Sequence, residues 1–183
     1  MNYANENNII LEINDKDKSG NSPLINTFYY NEFESLQLLM EYAQENNILL
    51  DINWKDEKER SPSFIMMEIF NKNRNKNETT KIQIVQLLMN YASRNNIILN
   101  IDEKIHTRDK YGEYADFTFK YAVDNSNFEI FKLFIEYAQN YGMLISLFKD
   151  NYPDYYTYKL NLLLYAVLYC KNIKIIKLII EVA

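Results

Sequence analysis

One short phrase, a Tyr-Ala pair followed by a run rich in asparagine and isoleucine, recurs through the chain and restricts its possible folds more than any other feature. The Tyr-Ala pair stands at 3–4, 42–43, 91–92 and 137–138. An Asn-Asn-Ile-x-Leu run follows three of these pairs, at 7–11, 46–50 and 95–99. The spacing averages about 45 residues, and self-similarity at such a period is typical of proteins that stack one supersecondary unit on the next.

The apolar residues before each Tyr-Ala pair are spaced as on one face of an α-helix. Phe33, Leu36, Leu39, Met40 and Ala43 follow one another at three- and four-residue intervals or in direct succession, and later copies repeat the pattern. The sequence therefore predicts one long helix in each unit, with the alanine of its Tyr-Ala pair buried against a neighbouring helix. We expect the asparagine pair to end this helix, because asparagine tolerates the left-handed conformation.

A shorter helix is predicted before each long one, at about 22–31, 62–70, 117–125 and 160–170. Two of these helices have a serine as N-cap and a proline at the first helical position, where the missing N–H carries no penalty. The serines are Ser22 and Ser61. The polar run 71–80 predicts a surface loop between the two helices of its unit.

Composition excludes several classes of protein. Hydrophobic residues make up 48% of the chain, too many for a disordered protein, and the net charge of −5 gives no general attraction to nucleic acid or anionic membranes. No apolar run approaches the roughly 20 residues of a membrane span. The single cysteine, Cys170, excludes an internal disulfide framework and is compatible with a reducing compartment. We therefore expect a cytoplasmic protein without nucleic-acid or membrane partners.

Candidate catalytic residues are scarce. The only histidine, His106, stands in a polar stretch predicted to be a loop, and Cys170 falls in a different unit. The three glycines cannot form a phosphate-binding loop, and the carboxylates are scattered one to a turn. The sequence thus predicts no enzyme, no metal site and no cofactor.

A resemblance to a known family rests on the run 17–24, Asp-Lys-Ser-Gly-Asn-Ser-Pro-Leu. It matches the opening Asp-x-x-Gly-x-Thr-Pro-Leu of ankyrin repeats with Ser for Thr, and the register continues without a gap through Leu36, Leu39 and Met40. The chain therefore resembles the ankyrin-repeat family. Each unit carries roughly ten residues more than the family period of about 33, and the opening is intact only once. A HEAT-type helical stack is the alternative.

The resemblance implies an all-α, helical-hairpin repeat solenoid of about four repeats in a single array over 1–183, part of a longer array. The repeats run approximately over 15–53, 54–102, 103–148 and 149–183, with 1–14 as the tail of a preceding repeat.

In ankyrin-type arrays the short helices and turn tips line a concave face that engages a protein partner. The resemblance places six side chains toward that face, namely Tyr29, Tyr30, Glu68, Asp124, Asn125 and Tyr169. The alternative for the aromatic rings is that they fill gaps between repeats. Trp54 lies at a position that is polar in the other copies, so it is either packed by a neighbouring loop or exposed as a partner anchor.

Two functions follow from these expectations. The first is a non-catalytic module or scaffold that binds a protein partner, because curved solenoids provide extended surfaces. The second is an architectural spacer that binds no partner of its own.

Overall fold

A computed structural model describes residues 7, 9–73, 77–109, 112–124, 127–145 and 162–183, and over 104–109 and 112–117 it describes the backbone alone. These ranges contain helices α1 Pro23–Tyr30, α2 Phe33–Glu45, α3 Pro62–Lys72, α4 Glu78–Arg94, α5 Thr118–Asp124, α6 Phe128–Asn140, α7 Leu162–Tyr169 and α8 Ile173–Val182. They also contain strands β1 Lys104–Asp109 and β2 Gly112–Phe117. The helices hold the hydrophobic core, so the all-α class is confirmed in outline.

The two strands form an antiparallel hairpin just before α5 that the sequence did not predict. Lys104 pairs with Phe117 at its base, and Asp109 pairs with Gly112 near its tip. Residue 106, which we expected in a loop, therefore lies in β1. The hairpin was missed because its segments, Lys-Ile-His-Thr-Arg-Asp and Gly-Glu-Tyr-Ala-Asp-Phe, are too polar to suggest strands.

The helices form two rows of neighbours. In the short-helix row, α1 packs on α3, α3 on α5, and α5 on α7. In the long-helix row, α2 packs on α4, α4 on α6, and α6 on α8. Within the pairs α1–α2, α5–α6 and α7–α8, the short helix also contacts its long partner.

Three alanines of the Tyr-Ala pairs lie inside the core, as the repeat alignment predicted, and Ala4 lies outside the described residues. Ala43, Ala92 and Ala138 are fully buried on α2, α4 and α6. A small side chain at this position allows neighbouring helices to approach closely, and a larger one would overpack the contact. The burial of all three confirms the prediction made for these alanines.

The helix starts and ends follow the local signals in the sequence. Ser22 Oγ accepts a hydrogen bond from Ile25 N at 3.4 Å, and Ser61 Oγ accepts one from Phe64 N at 3.3 Å. Proline follows each serine at the first helical position. The prediction of serine-capped, proline-initiated short helices is therefore confirmed.

The asparagine pairs end the long helices in the expected left-handed conformation. Asn47 and Asn96 have φ of 55° and 56°. The backbone N–H of the residue after each asparagine donates a hydrogen bond to the carbonyl of the buried alanine of the same helix. These bonds, Ile48 to Ala43 and Ile97 to Ala92, are both 2.8 Å long. Gly142 takes the same place after α6, with φ of 70°. This hydrogen-bond pattern is the Schellman motif, which satisfies the carbonyls left unpaired at a helix end.

The connection between α3 and α4 is shorter than the predicted loop over 71–80. Residues 71–72 belong to α3, and α4 already begins at Glu78. The sequence misled because Asn77, which looked like part of a polar loop, caps α4 by accepting a hydrogen bond from Thr79 N at 3.0 Å. Residues 74–76 lie outside the described part of the chain.

Two turn tips share one geometry although their sequences differ. Asp17 Oδ1 accepts hydrogen bonds from the N–H groups of Ser19 and Asn21 at 2.8 and 3.0 Å. In the next unit, Asp56 Oδ1 accepts from Lys58 N and Arg60 N at 2.9 and 2.8 Å. The first turn has Gly20 at φ 78°, whereas the second has Glu59 at φ 61°. Glu59 is therefore held in a conformation that disfavours a side chain.

Replacing Glu59 by glycine is expected to raise the free energy of unfolding by up to about 1 kcal/mol, because it removes the left-handed strain from an exposed residue. For a chain of this length the melting temperature should rise by about 2–4 °C, measured by circular dichroism. Glu57→Gly, in the same turn, is the control and should not stabilise. A decrease in stability for Glu59→Gly would contradict the argument.

Candidate interaction surface

The short-helix row brings together most of the side chains assigned to a partner surface. Tyr29 and Tyr30 end α1, Glu68 lies on α3, Asp124 ends α5, and Tyr169 ends α7. Each of α1, α3, α5 and α7 contacts the next in the series, so these residues are carried by one row of helices. Asn125, also assigned to this surface, lies outside the described residues.

At the first end of the row, exposed tyrosines adjoin an ion-pair network. Tyr30 is 69% exposed and Tyr29 is about half exposed. The guanidinium of Arg60 contacts both Asp56 and Glu68, each at 2.7 Å, and interacts electrostatically with Tyr29. Glu68 also accepts a hydrogen bond from Lys72 at 2.7 Å. Arg60 thus joins a turn tip to the middle of α3.

This network changes the acidity of its members. Burial raises the pKa of the Asp56 carboxyl, but hydrogen bonds and charge attraction from Arg60 outweigh burial, and the pKa lies below its ordinary value. Burial likewise lowers the pKa of Arg60, and its two carboxylates more than reverse that effect. Both groups are therefore held in their charged forms.

The middle of the row contains an edge-to-face pair of aromatic rings and a lysine. Phe64 on α3 meets Tyr121 on α5 edge to face, with ring centroids 5.4 Å apart. The Nζ of Lys120 lies 5.0 Å from the centroid of the Tyr121 ring and 3.9 Å from Asp124 Oδ2. The Phe64–Tyr121 contact joins α3 to α5 through buried rings, whereas the contacts of Lys120 lie within α5.

The far end of the row again presents tyrosine. Tyr165 on α7 donates a hydrogen bond from its hydroxyl to Asp124 Oδ1 at 2.5 Å. Its ring packs against Tyr169 with centroids 4.9 Å apart, and Tyr169 is 60% exposed. The Asp124 carboxylate is therefore engaged by groups of the same chain, whereas most of the Tyr169 side chain is exposed to solvent.

Trp54 does not belong to this exposed surface. Its exposed fraction is 9%, and Lys16 Nζ lies 3.9 Å from the centroid of its ring. The buried indole N–H has no hydrogen-bond acceptor among the described residues. Of the two alternatives for Trp54, the structure favours packing by a neighbouring loop. The assignment of Trp54 as an exposed anchor is corrected accordingly, because the lysine stem and the core leave almost no ring surface free.

The residues that sequence reasoning missed lie in the segments 48–53 and 97–102, which follow α2 and α4, and in the corresponding segment 9–14; all three are here called connectors. In each connector a backbone N–H donates a hydrogen bond to the tyrosine hydroxyl of the next Tyr-Ala pair. Tyr42, Tyr91 and Tyr137 accept hydrogen bonds, each 2.9 Å long, from the N–H groups of Leu11, Leu50 and Leu99. The tyrosines therefore recur because each one bonds to the unit before it.

Asparagine side chains join one connector to the next. Asn14 donates to Leu49 O at 2.9 Å and accepts from Asp51 N at 3.0 Å. Asn53 does the same one unit later, with Ile98 O at 2.7 Å and Asn100 N at 3.1 Å. The Ile-Asn dipeptide that ends the first two connectors was the sequence signal for this contact.

Two buried charged side chains have structural partners. Glu103 accepts a hydrogen bond from Ser61 N at 2.8 Å and forms an ion pair with Lys55. Lys81, almost fully buried, contacts Glu78 at 2.8 Å and the carbonyl of Phe70 at 3.4 Å. In the part of the chain that the structure describes, no group of three or more His, Cys, Asp or Glu side chains is placed to hold a metal ion.

Comparison with known proteins gave no matching family model and no match among curated proteins. Among the described helices, none combines the length and the apolar character needed to cross a membrane.

Proposed function

We propose that this chain is a non-catalytic, cytoplasmic protein-interaction module, built as an ankyrin-like array of helix pairs and part of a longer array. The partner is a protein, bound along the short-helix row and its turn tips. No catalytic or cofactor chemistry is assigned to it.

The array is supported by the pattern of neighbours. Short helices contact the next short helix, long helices contact the next long helix, and the connectors are linked in the same order. In solenoids each unit contacts only its neighbours, which produces an extended surface on each side. The recurring tyrosine and asparagine hydrogen bonds give this arrangement the same register in successive units.

The observation that carries the binding function is the pair of exposed tyrosines at the two ends of one row. Tyr30 and Tyr169 are each more than half exposed, although tyrosine is a residue that proteins usually bury in part. Tyrosine is enriched among the residues that dominate binding energy at protein interfaces. The ion pairs of Arg60 and Glu68 between them supply a polar border.

The second candidate, an architectural spacer, is favoured by a different observation. Glu68 and Asp124, both assigned to the partner surface, are engaged by Arg60, Lys72 and Tyr165 of the same chain. Polar groups that are satisfied internally contribute less to binding a partner.

The test is a double variant, Tyr30→Ala with Tyr169→Ala, compared with the unchanged chain and with Leu38→Ala. Leu38 is similarly exposed but lies on α2, in the long-helix row. Partners captured from cytoplasmic extract by the immobilised chain would be quantified by mass spectrometry, with circular dichroism to verify folding. Loss of an anchor typically costs at least about 2 kcal/mol, so capture should fall about thirtyfold.

The outcome separates the two candidates. A partner lost with the double variant and retained by Leu38→Ala supports the interaction module. If the folded double variant retains every partner, the short-helix row is not the binding surface. If no protein is captured specifically by the unchanged chain, the spacer is favoured.

A further inference from the structure

Three exposed aliphatic side chains occupy the same position in successive connectors. Ile10, Leu49 and Ile98 each precede the leucine whose N–H bonds to a tyrosine, and they are 67%, 56% and 52% exposed. A single exposed aliphatic residue is ordinary on a protein surface. Exposure at one repeated position produces instead a row of apolar side chains across the stack, here called the aliphatic row.

A polar row runs beside it. From the aliphatic residue onward the side chains of each connector alternate in burial, so the second residue after the aliphatic one is again turned outward. These residues are Glu12, Asp51 and Asn100, of which the two carboxylates are exposed. Alternation of this kind is expected for extended backbone. The surface therefore combines an apolar stripe with an acidic flank.

The connectors hold these side chains in fixed positions. The Asn14 and Asn53 side chains bridge adjacent connectors, and Tyr42 also donates from its hydroxyl to Ile9 O at 3.3 Å. A surface whose backbone is already ordered loses little conformational freedom when a partner binds.

Leu49, at the centre of the row, also lines a groove between α2 and α4. The groove has a volume of about 500 Å³, and Met40, Ile48 and Leu87 form its apolar part. A groove of this size beside an exposed leucine can receive a partner side chain, as binding anchors require.

We propose that the aliphatic row and its acidic flank bind an amphipathic α-helix of a partner protein, with aliphatic residues every seven positions and basic residues along one side. Adjacent packed helices lie about 8–10 Å apart, which sets the spacing between successive connectors. Seven residues of an α-helix rise about 10.5 Å, so residues at this interval meet one aliphatic side chain per unit. Lysine or arginine beside that seam would face Glu12 and Asp51.

This surface is formed by the connectors and lies apart from the residues of the short-helix row. The proposal does not rest on the proposed function, and variants of Tyr30 and Tyr169 do not test it. The two surfaces are distinguished by which substitutions affect binding.

The probe is a fluorescein-labelled synthetic helix of about 22 residues, roughly 33 Å long, with leucine at every seventh position and lysines along one flank. Its binding to the 183-residue chain is measured by fluorescence anisotropy. We expect a dissociation constant on the order of 10 μM that weakens as salt screens the charges. A peptide of the same composition with its leucines out of heptad register should bind at least about tenfold more weakly.

Leu49→Ser is expected to reduce the affinity at least about tenfold, and Leu38→Ser is the matched control, since Leu38 is equally exposed outside the row. Glu12→Gln with Asp51→Asn should weaken binding and reduce its salt dependence, because the two charges that face the lysines are removed. Circular dichroism verifies that each variant is folded. Equal losses for Leu49→Ser and Leu38→Ser, or no binding of the heptad peptide at millimolar concentration, would overturn the proposal.

A second copy of the chain is the competing occupant. Light scattering after size exclusion gives its oligomeric state. If the chain is a dimer that Leu49→Ser converts to a monomer, the aliphatic row is a self-association surface and the helix proposal is wrong. A chain that is monomeric both before and after the substitution, with the peptide result above, supports it.

Discussion

Replacing Phe134 by alanine is expected to lower the free energy of unfolding by about 3–5 kcal/mol. Phe134 is buried on α6, which packs against α4, α5 and α8. Its ring meets Phe119 of α5 nearly at a right angle, with centroids 5.6 Å apart. The substitution removes apolar burial and an aromatic pair, and it leaves a cavity where several helices meet.

Urea denaturation followed by circular dichroism measures this loss. Phe134→Leu, which fills most of the volume, should cost less than about 1.5 kcal/mol. Lys132→Ala, an exposed position on the same helix, should change stability by no more than about 0.5 kcal/mol. A loss below about 1 kcal/mol for Phe134→Ala would mean that α6 is not at the centre of the core.

Replacing Glu103 by alanine is expected to lower the free energy of unfolding by about 2–3 kcal/mol, a smaller loss than that expected for Phe134→Ala. Its carboxylate receives the N–H of Ser61, the residue that caps α3, and it pairs with Lys55. Without it, a buried N–H loses its acceptor, which costs about 1–3 kcal/mol by itself. The ammonium of Lys55 is partly exposed and can be hydrated when Glu103 is absent. Loss of the ion pair therefore adds less to the destabilisation.

Glu103→Gln separates the two contributions, because the amide oxygen still accepts from Ser61 N while the charge is removed. Its loss should be about half that of Glu103→Ala, measured by the same urea titration. If both variants are as stable as the unchanged chain, Glu103 does not support the start of α3.

The parts of the fold that were predictable from sequence are those decided by near neighbours in the chain. Ser61, Pro62 and the Asn95-Asn96 pair fix helix ends through contacts within a few residues. The burial of Ala92 followed from the three- and four-residue spacing of its helix. Local signals of this kind are readable because they do not depend on the rest of the fold.

The candidate site was harder to predict from the sequence, because the burial of its side chains depends on residues that are distant in the chain. Trp54 is covered by Lys16, 38 positions earlier in the chain, and no local pattern indicates that contact. Tyr30 and Tyr169 were placed on one row only by a family resemblance. The hairpin of 104–109 and 112–117 was missed because, among the described residues, its strands pair with each other and with no further strand, and a polar sequence gave no periodic signal.

The tyrosine hydroxyls also make part of the fold depend on the order in which the chain is synthesised. Each connector leucine obtains its hydrogen-bond acceptor from a tyrosine that stands 31, 41 or 38 residues later in the chain. A ribosome adds about 5–20 residues per second, so the acceptor follows its donor by a few seconds during synthesis. Until then the leucine N–H has only water as a partner. The helix pairs α1–α2 and α3–α4 therefore complete the hydrogen bonds of their connectors only when the next long helix has been synthesised and has docked, which ties the maturation of this part of the chain to translation from one end.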